Sequence, residues 1–121
     1  MTWPVFFHVA FAEEFQGFSQ SVQDEIAAIA GLLAAVGPSL RRPHADTLKG
    51  SRYANMKELR FDAGDGVWRL AYAFDPERKA ILLVAGDKSG TSSARFYKSL
   101  IAKADNRFAA HLDAMKKRTK K

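Results

Sequence analysis

The chain has 121 residues, 47% of them hydrophobic, with nine phenylalanines, no cysteine and a net charge of +6. That is enough apolar material for one packed domain and too much for a disordered chain, while the lack of thiols excludes disulfides and thiolate-bound metals. The apolar start, residues 1–11, carries no basic residue and runs into Glu13-Glu14. It fits neither a secretory signal nor a membrane span, so a cytoplasmic protein without membrane contact is the expectation.

Charge is divided along the chain. Residues 1–40 hold four acids and no Lys or Arg, whereas residues 41–115 hold fourteen bases against nine acids, and the last six residues, KKRTKK, add five bases. An acidic first third and a basic remainder point to a polyanion-facing surface built from the second part.

In chain order, residues 5–11 (VFFHVAF) are rich in Phe and Val and read as a strand. Residues 12–18 read as a short helix. Ser21 is the expected cap of a second helix, on which Val22, Ile26, Ile29, Leu33 and Val36 form one apolar stripe until Gly37-Pro38 stops it. Residues 39–55 show little periodicity and read as a surface connection. Two alternating runs within residues 56–74 flank a turn at residues 62–66, which predicts a hairpin, and residues 75–78 (DPER) predict another turn. The continuous apolar run AILLVA, residues 80–85, suits a strand covered on both faces. After a loop at residues 86–93, Ser93 opens a last helix with apolar positions Phe96, Leu100, Ile101, Ala104, Phe108 and Leu112.

The order β-α-α-β-β-β-α predicts a small two-layer α+β domain, with a mainly antiparallel sheet, a helical hairpin on one face and a C-terminal helix. Residues 1–115 form the expected single domain and residues 116–121 a basic, disordered tail.

Side-chain parity divides the hairpin into two faces. Leu59, Phe61, Trp68, Leu70, Tyr72 and Phe74 belong under the helices. The other face carries Met56, Glu58, Arg60, Val67, Arg69, Ala71 and Ala73, which reads as a shallow open groove. A hairpin sets Arg60 beside Arg69, an arrangement that costs stability unless an anion lies between them. Glu58 supplies one such charge. Lys88 at the end of the fourth strand and Arg95, Tyr97 and Lys98 at the start of the last helix extend the cationic surface, with an aromatic ring for base stacking.

The strand "KELR", the run "GVWRLAYAF", and "VAGDK" ahead of a helix containing Tyr, in this element order, resemble the RelE-type toxins of bacterial toxin–antitoxin modules. The likeness is greatest to the HigB-like branch of the RelE/ParE superfamily and covers roughly residues 5–112. It implies a metal-independent endoribonuclease with no cofactor, acting on mRNA at the ribosome. The 2′-hydroxyl attacks the scissile phosphate and leaves a 2′,3′-cyclic phosphate. By position, the resemblance implies catalytic roles for Arg60, Arg69, Lys88 and Tyr97, with Lys57, Glu58, Arg95 and Lys98 as flanking RNA contacts. The general base stays open between Tyr97, Lys88 and Glu58; the first two would serve only if surrounding cations lowered their pKa. The implied partners are mRNA, the ribosome and a cognate antitoxin, a helix-turn-helix protein. A ParE-like gyrase inhibitor or a non-enzymatic nucleic-acid-binding co-repressor is the alternative, because fold alone does not choose between them.

His8, His44 and His111 lie far apart in sequence without ligand spacing, and read as ordinary structural or surface residues. Residues 86–90 lack a phosphate-loop pattern, and residues 62–66 fall short of a calcium loop.

Overall fold

The computed structural model describes residues 2–119. Its elements are β1 (Val5–Phe7), α1 (Val9–Gln16), α2 (Gln20–Val36), a 3-10 turn (Gly37–Ser39), β2 (Ala45–Thr47), β3 (Lys57–Ala63), β4 (Gly66–Phe74), β5 (Ala80–Asp87) and α3 (Ser93–Thr119). The sheet runs β1-β5-β4-β3-β2; β1 pairs parallel with β5, and every other pair is antiparallel. The α+β class holds.

Several boundaries differ from the sequence reading. The first strand stops at Phe7, because His8 turns the chain into α1 and its Nδ1 accepts the Ala10 N–H at 3.1 Å. Ser19, not Ser21, caps α2 through the Val22 N–H. The stretch expected to be a plain connection contributes β2, whose three residues pair with β3 through backbone groups that leave no side-chain pattern. α3 continues through Thr119, so residues 116–119 are its last turn and not a disordered tail; Lys120 and Lys121 lie outside the described residues. The basic last turn suits the negative end of the helix dipole.

Two cores sandwich the sheet. On one face α1 and α2 bury Phe11, Ile26 and Leu33 against Leu59, Leu70, Tyr72 and Leu82. On the other, α3 buries Leu100, Ala104 and Phe108 against Met56, Ala71, Ala73, Ile81 and Leu83. The face expected to be an open groove is therefore covered along much of its length. The small residues that suggested a groove, Ala71 and Ala73, are what let a helix approach the sheet closely. A register shift between β4 and β5 skips Leu83, so that Leu83 and Val84 both face α3 despite being consecutive.

α3 is also tied to the rest of the fold through Arg107. Arg107 donates to both oxygens of Glu14 at 2.8 and 2.6 Å and to the Leu83 carbonyl at 2.8 Å. That bidentate pair holds the Glu14 carboxyl below its ordinary value. Within the first core one polar atom is stranded: the Tyr72 hydroxyl is buried with no hydrogen-bond partner, and burial pushes its pKa up. Tyr72→Phe removes an unsatisfied donor at nearly constant shape and is expected to stabilise the fold by about 1 kcal/mol. A rise in the urea midpoint with unchanged slope is the measurement; a fall would mean that the hydroxyl is satisfied.

Candidate active site

The hairpin turn sets the site's register. Ala63 pairs with Gly66 across a two-residue turn, Gly64 takes φ 57°, and counting back from there places Arg60 directly opposite Arg69. The alternation expected from sequence is what the structure has.

Glu58 lies one side-chain step along the same face as Arg60. Its carboxylate sits between the guanidinium groups, with Arg60 Nε 3.8 Å from Oε2 and Arg69 Nε 3.9 Å from Oε1. Both separations are longer than a hydrogen bond. Glu58 and Arg69 are buried, with side chains 7% and 9% exposed, while Arg60 is 30% exposed. Arg69 is aimed by its Nη1, which donates to the Trp68 carbonyl at 2.9 Å, yet its buried Nε has no hydrogen-bond partner. The contrast with the tight Arg107–Glu14 pair matters. Arg69 thus keeps slack geometry toward Glu58 and one buried donor unused.

α3 adds the fourth group. Its first turn crosses the sheet where β5 has Gly86, whose missing side chain admits the Phe96 ring; a Cβ there would lie 3.0 Å from it. That close approach delivers the neighbouring Tyr97, whose hydroxyl donates to Glu58 Oε1 at 2.8 Å. Burial and the bond to Glu58 raise the Tyr97 pKa above its ordinary 10.0, and Arg69 only partly opposes them. This corrects the idea that surrounding cations turn Tyr97 into a base. Near neutral pH its phenol is a proton donor.

Lys88 completes the cluster. Its backbone N–H donates to the Val67 carbonyl at 2.8 Å. The preceding Asp87 accepts from the Val67 N–H at 3.0 Å, from the Ser89 N–H at 2.9 Å and from the Ser89 hydroxyl. The loop is thus fixed on β4, and Lys88 Nζ stands 5.7 Å from the Tyr97 ring centroid.

The structure therefore gathers Glu58, Arg60, Arg69, Lys88 and Tyr97. The other candidates lie apart. Lys57 points to the opposite face, where its Nζ donates to the Pro38 carbonyl at 3.3 Å. Arg95 is exposed and borders a separate cleft with Phe96 and Lys103, and Lys98 is exposed on α3. Sequence reasoning missed that His8 and His111, 103 positions apart, line one cleft. Only the topology, with β1 lodged beside β5 under the end of α3, brings them together.

Residues 13–109 match the phage-derived Gp49-like protein family. Two Mycobacterium tuberculosis proteins are similar to this chain. "Putative toxin HigB2" is 41% identical over 97 residues, 79% of this chain and 48% of its own length. "Putative toxin HigB3" is 46% identical over 88 residues, 70% of this chain and 75% of its own length. The chain thus spans about half of one relative and three quarters of the other. In fold it is similar to the E. coli toxin RelE in the free state, a mutant form, with TM-score 0.60 and 14% identity over 85% of this chain and 97% of that one. A Pyrococcus horikoshii RelE–RelB complex gives TM-score 0.54 and 17% identity over 75% of this chain and 100% of that one. The chain belongs to the Gp49-like family and groups with the HigB-like proteins, and its fold is RelE-like.

Proposed function

We propose that this protein is the toxin of a toxin–antitoxin pair and an endoribonuclease that cleaves ribosome-bound mRNA without a metal. The supporting observation is the loosely paired Arg60–Glu58–Arg69 arrangement, with its unpartnered Arg69 Nε beside a protonated Tyr97. A phosphodiester seated between the arginines would satisfy that donor and relieve the facing like charges.

In this reading the ribose 2′-oxygen attacks phosphorus and its proton passes to the Glu58 carboxylate. The P–O5′ bond breaks, the leaving oxygen takes the Tyr97 proton, and Glu58 returns the proton to Tyr97 through their hydrogen bond. The products are a 2′,3′-cyclic phosphate and a 5′-hydroxyl. Arg60, Arg69 and Lys88 neutralise the charge that builds on the phosphoryl oxygens. The proposed partners are the ribosome, mRNA and an antitoxin, in the cytoplasm. Among the described residues no helix is long and apolar enough to cross a membrane.

The test is to add purified protein to translating ribosomes and map transcript ends. Cleaved mRNA with cyclic-phosphate termini is expected; intact transcripts, or DNA breaks with translation unaffected, would overturn the reading in favour of a gyrase-directed or DNA-binding protein. Glu58→Gln and Tyr97→Phe should each slow the saturated rate by about 100-fold or more, the scale of general acid–base catalysis. Because the Tyr97 pKa is raised, the midpoint of any alkaline loss of rate from the phenol should lie above pH 10.0.

A further inference from the structure

A second site lies at the other end of α3. β1, the start of β5 and the last turns of α3 enclose a cleft of about 470 Å³ lined by Phe6, His8, Lys79, His111 and Arg118 among others, with no carboxylate in its lining. A volume of that size suits a small organic ligand.

Both lining histidines are set by partners behind them. His111 Nε2 bonds to Asp75 Oδ2 at 2.8 Å, and the Asp75 side chain is fully buried. Burial alone would raise the Asp75 carboxyl, but hydrogen bonds from His111 and the Lys79 and Glu77 N–H groups hold it below its ordinary value. It is a fixed anion that orients the imidazole, which also stacks on Phe108. His8 is fixed differently: its Nδ1 accepts the Ala10 N–H, so the neutral ring carries its proton on Nε2. That N–H has no hydrogen-bond partner among the described residues, and the positive end of α1 opens beside it. Burial, Arg107 and His111 lower the His8 pKa, which keeps this neutral donor form dominant. Lys79 is paired only with the exposed Glu77, at 2.9 Å, and its Nζ lies 5.6 Å from the Phe6 ring, 49% exposed at the edge of the sheet.

We propose that this cleft binds a nucleotide, with the phosphate held by Lys79, Arg118 and the His8 Nε2–H and the base laid on Phe6. Cations and a free donor, with only the exposed Glu77 carboxylate competing at Lys79, select a phosphate, and a half-exposed aromatic ring beside them selects a base. An acidic peptide would find the cations but no use for the exposed ring. The phosphate could come from a free nucleotide or from a polynucleotide strand. His111 lies fourteen residues beyond Tyr97, about 21 Å along the helix, so the site is separate from the cluster at the start of α3. The inference does not depend on cleavage.

The experiment titrates the full-length protein, followed by NMR of its histidine and backbone signals, with three probes: inorganic phosphate, AMP, and a six-nucleotide all-deoxy strand that lacks the attacking hydroxyl. Saturable shifts at His8, His111 and Lys79 are expected. Lys79→Gln combined with Arg118→Gln should weaken binding at least tenfold with an unchanged melting temperature, and Phe6→Ala should weaken AMP but not phosphate. Equal affinity for AMP and the strand identifies a free nucleotide as ligand; much tighter strand binding identifies a polynucleotide. The proposal is overturned by absence of saturable binding, by shifts confined to Glu58, Arg69 and Tyr97, by indifference to the double substitution, or by binding of an acidic peptide alone.

Discussion

Arg69→Ala should lower the cleavage rate at saturating ribosome by about 100- to 1000-fold, the usual loss when one preorganised donor to a developing oxyanion is removed. Its half-saturating concentration should change little, because a contact that strengthens in the transition state appears in kcat more than in KM. Two features make Arg69 the larger loss of the facing pair. Its side chain is 9% exposed against 30% for Arg60, so its charge is less screened by water. Its buried Nε is also the donor without a partner. Arg69→Lys should recover only part of the rate, since an ammonium keeps the charge and loses the planar fork. Deleting residues 116–121 should behave oppositely, weakening ribosome binding and flattening its salt dependence while sparing the saturated rate. A fully active Arg69→Ala protein would leave the two arginines as a surface neutralised by Glu58.

Phe108→Ala should cost about 3–5 kcal/mol, the range for removing a buried aromatic ring. Phe108 is 2% exposed in the core beneath α3 and meets Tyr53 edge-on at a centroid distance of 5.0 Å. The variant should also cleave more slowly than its folded fraction explains, because α3 carries Tyr97 to Glu58. Urea unfolding gives the first quantity, and the single-turnover rate per folded molecule gives the second. If the rate per folded molecule is unchanged, the first turn of α3 is held by Phe96 and Tyr97 without help from the rest of the helix.

The hairpin was legible because two simple rules meet there. Alternation sorts side chains by face, and a tight glycine turn fixes the register, so Arg60 and Arg69 had to be opposed. Glu58 followed from parity alone. Ala71 and Ala73 misled for a physical reason: small side chains fit a solvent groove and a close helix crossing equally well. Only the apolar stripe of α3, which has to bury itself somewhere, argues for the crossing. The shift that turns Leu83 and Val84 to one side is silent in a run where every residue is apolar. The direction of the Tyr97 pKa depends on distances that no spacing rule supplies. Lys57 entered the candidate set through its charge, although its parity already pointed it away.

The parallel pairing of β1 with β5 joins Val5 to Ala80, residues 75 positions apart. Closing so large a loop carries an entropic cost before any contact rewards it, and pairings of this kind slow folding. During synthesis the hairpin of β3 and β4 can assemble from neighbours, but the strand that leaves the ribosome first has nothing to pair with until β5 follows. Until then Phe6 and Phe7 are uncovered and the edge of β4 is a bare template for another chain. The hazard of aggregation in this protein is thus concentrated in the interval between making its first strand and its last.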